Sequence, residues 1–165
     1  MKQLLLVSWL LSLSAILGLP EVKADVRMPL IFGNHMVLQQ DTRITIWGWA
    51  DAGENIEVLF AGQKVRTTAN ADGTWQGKLK PVKTKKKGET LTITGKNKLV
   101  YSDVLVGDVW VASGQSNMEW GIKVRKEYAD DIAHSEDSLL RLFFVPKNTS
   151  LQPLSEIEIP QGTAS

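Results

Sequence analysis

From Ile56 to Tyr101, apolar and polar side chains alternate in short runs separated by turn residues. Ile56, Val58 and Phe60 alternate with Glu57 and Leu59, and Val65 and Thr67 with Lys64, Arg66 and Thr68. Trp75, Gly77 and Leu79 alternate in the same way with Gln76, Lys78 and Lys80. A period of two marks strands with one face toward a core. Ala61-Gly62, Asn70-Ala-Asp-Gly73 and Gly95-Lys96-Asn97 carry the residues that turns require. Thr90 to Thr94 and Lys98 to Tyr101 flank the last of these. Ile44 to Trp49 is apolar on both faces, which predicts a central or interdomain strand. Strands at this spacing predict an antiparallel β-sandwich over residues 25–103, near the lower size limit for a stable core.

After Asp103 the pattern changes. Val109 to Ala112 is a continuous apolar run, as in a strand covered on both faces. Residues 117–134 favour helix, with Ile122, Val124, Tyr128 and Ile132 on an inner face. Leu139 to Val145 predicts a second buried strand, closed by Pro146. One strand-helix-strand unit makes a right-handed parallel crossover. The expected fold is therefore mixed: a β-sandwich, then the first β-α-β unit of an α/β domain over residues 104–165.

The first residues stand apart. Met1-Lys2-Gln3 is basic, Leu4 to Gly18 is almost wholly apolar, Pro20 breaks the run, and Val22-Lys23-Ala24 suits a signal peptidase. Residues 1–24 read as a secretory signal of bacterial type, cleaved after Ala24, which places the chain in the periplasm or outside the cell. The apolar run is shorter than the roughly 20 residues of a spanning helix, so a stable membrane anchor is not expected. The chain contains no cysteine, which excludes disulfides and a thioether lipid anchor. Removing Lys2, Lys23 and Glu21 leaves equal numbers of basic and acidic residues. That balance argues against nucleic acid as a partner. Lys80, Lys83, Lys85, Lys86 and Lys87 cluster beside Gly88 and read as a solvated hairpin loop.

The candidate chemistry lies in Asp108 to Met118, which reads Asp-Val-Trp-Val-Ala-Ser-Gly-Gln-Ser-Asn-Met. The apolar run stops at Ser113-Gly114, and Ser116 stands where a helix would start. A hydroxyl there sits at the carboxyl end of a strand, where open α/β sheets place ligands, and near the positive end of a helix. Serine is also common at helix starts simply because its oxygen caps free amides. The neighbours favour the chemical reading. Gly114-Gln-Ser-Asn-Met118, with the Asp-Val-Trp-Val-Ala-Ser before it, resembles the nucleophile block of the sialate O-acetylesterase family within the SGNH hydrolases. Pro29 to Gln40, Trp47-Gly-Trp-Ala50, Asp72-Gly-Thr-Trp75 and Arg141 to Lys147 also resemble family segments, in the family's order.

The resemblance implies a serine carboxylesterase that removes O-acetyl groups from sugars such as sialic acids, with a flavodoxin-like hydrolase domain after the sandwich. Ser116 matches the nucleophile, and its backbone amide would join the oxyanion hole. No cofactor or metal is implied; Gln115 and Asn117 would shape the turn. The family's base is a histidine in a late Asp-x-x-His block, and the 49 residues after Ser116 contain no match to that block. The chain is therefore expected to be an N-terminal fragment, inactive alone. Asp131-Ile-Ala-His134 has the spacing. On a continuous helix from Ser116, however, His134 would lie roughly 27 Å away. His35 is expected to be structural. Trp47, Trp49, Trp75, Trp110 and Trp120 are expected to pack rather than bind sugar. Asn148-Thr-Ser150 fits a glycosylation acceptor, but a bacterial export signal argues against its use. The competing expectation is a secreted carbohydrate-binding β module with a non-catalytic remnant.

Overall fold

The structure is a computed structural model that describes residues 25–122 and 125–157. The expected signal segment, residues 1–24, and Val124 lie outside the described residues. Strands β1 (Val37–Gln39), β2 (Ile44–Trp49), β3 (Asn55–Phe60), β4 (Gln63–Thr68), β5 (Thr74–Leu79), β6 (Lys85–Thr94) and β7 (Lys98–Gly107) follow one another with short connections. Five form one sheet in the order β1-β7-β6-β3-β4, and β2 pairs with β5 in a second. The protein is mostly β, with little helix.

The alternation read in β3 and β5 sets the packing. Ile56, Val58 and Phe60 of β3 are buried, as are Trp75 and Leu79 of β5. The five-stranded sheet adds Leu91, Ile93, Val104 and Val106, and β2 adds Ile44 and Ile46, so one core is shared by both sheets. Each such side chain contributes roughly 1.5–3 kcal/mol by leaving water. A Cβ at Gly77 of β5 would meet methyl groups of Val58 and Val65 at 3.4 and 3.5 Å, in ordinary contact. The Ala61-Gly62 turn joins β3 to β4 with both residues at positive φ, 50° and 74°. That is the backbone twist a two-residue hairpin needs. Glu54 is buried at the opposite end, where its carboxylate accepts from the Lys96 and Asp51 amides at 2.6 and 3.2 Å.

Four expectations change. First, β1 pairs with β7 in parallel, Val37 opposite Leu105, so the sheet is mixed rather than antiparallel. Second, β2 is not a central strand: it pairs along its length with β5, and its other edge carries only an isolated bridge between Trp49 and Arg27 among the described residues. Its second apolar face is covered by side chains instead. Phe32 meets Trp47 edge-on, Trp47 meets Trp49, and the Arg27 guanidinium lies 3.9 Å from the Trp49 ring centre. Third, Lys85, Lys86, Lys87 and Gly88 belong to β6, although the three lysines remain exposed. Fourth, the β-α-β unit is absent among the described residues. Val109 to Ala112 and Leu139 to Val145 have no strand pairing, and the helix expected over 117–134 is reduced to short pieces. These are 3-10 turns Ser116–Glu119 and Lys126–Tyr128, and helix α1, Ala129–Ala133.

The reason for the last change is physical. A parallel strand buried on both faces needs hydrogen-bonded neighbours and a covering layer. The described residues supply neither to these segments, and Trp110, Val111, Leu142 and Phe144 are 87%, 91%, 89% and 79% exposed. Strand β7 also runs four residues beyond the boundary expected at 103, and Val104, Leu105 and Val106 are all buried.

The contrast between the two regions predicts their mutational response. Leu91→Ala in the core should cost about 2–5 kcal/mol in urea or thermal unfolding. Leu142→Ala should change stability by less than about 0.5 kcal/mol.

Candidate active site

Strand β7 ends at Gly107, where Gly107 O accepts from the Gln40 amide at 2.9 Å, and the chain enters the motif directly. The Val109 amide still donates to Gln39 Oε1 at 2.8 Å, and Gln40 Nε2 to Asp108 Oδ1 at 3.0 Å. The opening segment therefore holds the first two residues of the motif. Beyond them the backbone is irregular as far as Gln115.

Ser116 begins a turn of four residues, as the sequence suggested, but the turn does not continue into a helix. Gln115 precedes it in an extended conformation with no side-chain cap, and the Met118 amide donates to Gln115 O at 2.9 Å. One 3-10 turn aligns too few peptide dipoles to polarise a hydroxyl in the way a helix end would. Ser116 is exposed. Asn117, Trp120 and Arg125 line a space of ≈ 250 Å³. Trp110 and Trp120 are exposed rather than packed, 87% and 67%. Trp75 lies in the core, and Trp47 and Trp49 are half-buried.

Neither histidine is hydrogen-bonded to Ser116. His134 follows α1, and its Nδ1 lies 2.7 Å from Asp130 O. The break in the helix removes the geometric basis for the 27 Å estimate, but His134 remains turned onto its own helix. His35 Nδ1 lies 2.7 Å from Asp103 Oδ2, and Arg141 Nη2 donates to the same oxygen at 2.9 Å. This cluster was missed in the sequence. An imidazole held through Nδ1 by a carboxylate has the orientation of a general base. Here the carboxylate also faces a guanidinium, which takes up part of its charge. Among the described residues, no group of three or more His, Cys, Asp or Glu side chains is placed to hold a metal.

The Asp103 carboxyl lies below its ordinary range, first through the His35 hydrogen bond and then through Arg141. A carboxylate lowered on folding stabilises the fold above its unfolded pKa, about 3.9, and loses that contribution as pH falls through the lower folded value. Asp103→Asn should therefore lower the thermal midpoint at pH 6. The gap to the parent should close progressively below about pH 4. A gap independent of pH would contradict this.

No family model matches the chain. Sialate O-acetylesterases from Mus musculus and Rattus norvegicus are 31% and 33% identical to it over 141 residues, covering 76% of this chain. The Homo sapiens sialate O-acetylesterase is 28% identical over 148 residues, covering 81%. The chain spans 25–28% of the length of these relatives. A crystal structure of a carbohydrate acetylesterase from Xanthomonas citri superposes with a TM-score of 0.76 and 35% identity, covering 81% of this chain and 31% of that one. The resemblance carried by the motifs thus extends over 76–81% of the chain in sequence and 81% in structure. Over roughly four-fifths of its length this chain is similar to sialate and carbohydrate O-acetylesterases, and it spans a quarter to a third of them.

Proposed function

We propose that this chain is the nucleophile-bearing portion of an exported carbohydrate O-acetylesterase, with Ser116 as nucleophile. The observation that carries the reading is the 35% identity and TM-score of 0.76 with a carbohydrate acetylesterase. It combines with the Gly114-Gln-Ser-Asn-Met118 motif. The substrate would be an O-acetylated sugar, sialic acid being the case named by the curated relatives.

The chemistry is acyl transfer. Ser116 Oγ attacks the acetyl carbonyl while its proton passes to a base; the sugar hydroxyl then leaves with a proton, and water hydrolyses the acyl-enzyme. The Ser116 amide would face the developing oxyanion, where one such donor can be worth about 3 kcal/mol. A serine hydroxyl needs a base within hydrogen-bond reach. Neither His35 nor His134 is hydrogen-bonded to Ser116 in the present arrangement; their Nδ1 atoms meet Asp103 Oδ2 and Asp130 O.

In this reading the β-sandwich domain starts at residue 25 and runs to the end of β7 at Gly107, past the boundary expected at 103, and the opening of a flavodoxin-like sheet follows it. The apolar runs Val109–Ala112 and Leu139–Val145 support it. They have the composition of two-face-buried strands while lying exposed here. Such runs become strands when neighbouring strands and covering helices are supplied.

The test is hydrolysis of an activated acetyl ester by the isolated chain and by Ser116→Ala. The two rates should be equal within error. Turnover by the parent that the substitution abolishes would show that a base is already present, and the fragment reading would fail.

A further inference from the structure

Strand β7 contains an irregularity whose consequence reaches beyond the sheet. Glu89 of β6 is opposite Val104 and Leu91 is opposite Tyr101, so Ser102 and Asp103 together face the single residue Thr90. A bulge of this kind re-aims the side chains it carries. Asp103 has φ 52°, a left-handed conformation that few residues other than Gly, Asn and Asp adopt readily. Gly88 makes the space. A Cβ there would lie 2.7 Å from the Asp103 Cα and 2.1 Å from Oδ1.

The bulge is bound on two sides. Asn34 Oδ1 accepts from the Ser102 amide at 2.8 Å and from its hydroxyl at 3.1 Å, while the His35 amide donates to Ser102 O at 3.0 Å. His35 itself has φ 62°. Beside these contacts, Asp103 Oδ2 accepts from both His35 Nδ1 and Arg141 Nη2. One carboxylate oxygen therefore joins the opening segment, β7 and the segment after α1.

Arg141 reverses the usual order of burial in its segment. Leu142, Phe143, Phe144 and Val145 are exposed, whereas the Arg141 side chain is only 26% exposed. Its Nη1 donates to Ser138 O. The Asp103–Arg141 bond joins residues 38 apart and closes the loop that contains Ser116. Closing a loop of that length costs chain entropy that only specific contacts offset.

We propose that Asp103 is a positioning residue. Its carboxylate clasps Arg141, with His35 bracing it, and fixes the Leu139–Val145 segment against the β region on the far side of the Ser116 loop. The inference rests on these contacts and not on the esterase reading, so either can fail without the other.

Because the sequence has no cysteine, Lys98→Cys and Leu142→Cys can carry the only two spin labels on the full chain. Both positions are exposed, one on β7 and one beside Arg141. Pulsed electron paramagnetic resonance should give one narrow distance distribution in this labelled parent. Asp103→Asn keeps a residue that tolerates positive φ. Arg141→Gln leaves every strand untouched, so it remains informative if the first variant is poorly folded. Each should raise the ratio of unclasped to clasped distances on the order of tenfold. The double variant should be no broader than either single one, since both remove the same bond. Unchanged distributions in the Arg141→Gln variant would overturn the proposal, as would a double variant whose broadening is the product of two independent effects.

Discussion

The two-sided pairing of β7 is the constraint on which the rest of the structure depends. This strand is hydrogen-bonded to β6 along one edge and to β1 along the other, and Val104, Leu105 and Val106 are each 4% exposed or less. Its ends are therefore fixed in space. The bulge in its middle aims Asp103 outward, and its last residue, Gly107, releases the chain into Asp108 and the motif. What lies before Gly107 is held by a shared core. What lies after it is joined to the β region by polar bonds that include those to Gln39, Gln40, Asp103 and Arg27. That division separates a region able to support a site from the segment that carries the candidate nucleophile.

Most of the β region was legible because its strands bury one face. Ile56, Val58 and Phe60 declare β3, and the Ala61-Gly62 and Asn70 to Gly73 turns bound β4. Three features left no periodic trace. Strand β1 is three residues long, too short for alternation to reveal a parallel partner. The lysine-rich start of β6 carries exposed side chains on successive residues, which reads as a loop. The apolar outer face of β2 reflects cover by Phe32 and Arg27 rather than a second sheet. A lone glycine within a strand often marks a close backbone approach, so Gly88 was the signal that could have located the bulge.

The candidate site was legible as a motif but not as geometry. Ser116 starts a turn where Ser113-Gly114 interrupts an apolar run. The sequence could not show that the flanking runs remain unpaired, because periodicity reports what a segment prefers to bury and not what is available to cover it. The same limit applies to His35, Asp103 and Arg141. They are 68 and 38 residues apart in sequence and share no spacing rule. They meet at the bulge, where Asp103 Oδ2 accepts from both His35 and Arg141. Similarity to O-acetylesterases of three to four times the covered length fits this picture. In those proteins there is far more chain with which apolar segments such as Val109–Ala112 can pack.

Hydrogen exchange resolved along the chain tests the central division most directly. Amides of β3, β6 and the second half of β7 should exchange only through global opening, whereas those of residues 109–115 and 141–150 should exchange at nearly unprotected rates. Comparable protection in the two regions would show that the segment carrying Ser116 has a packed structure of its own, and would contradict the account.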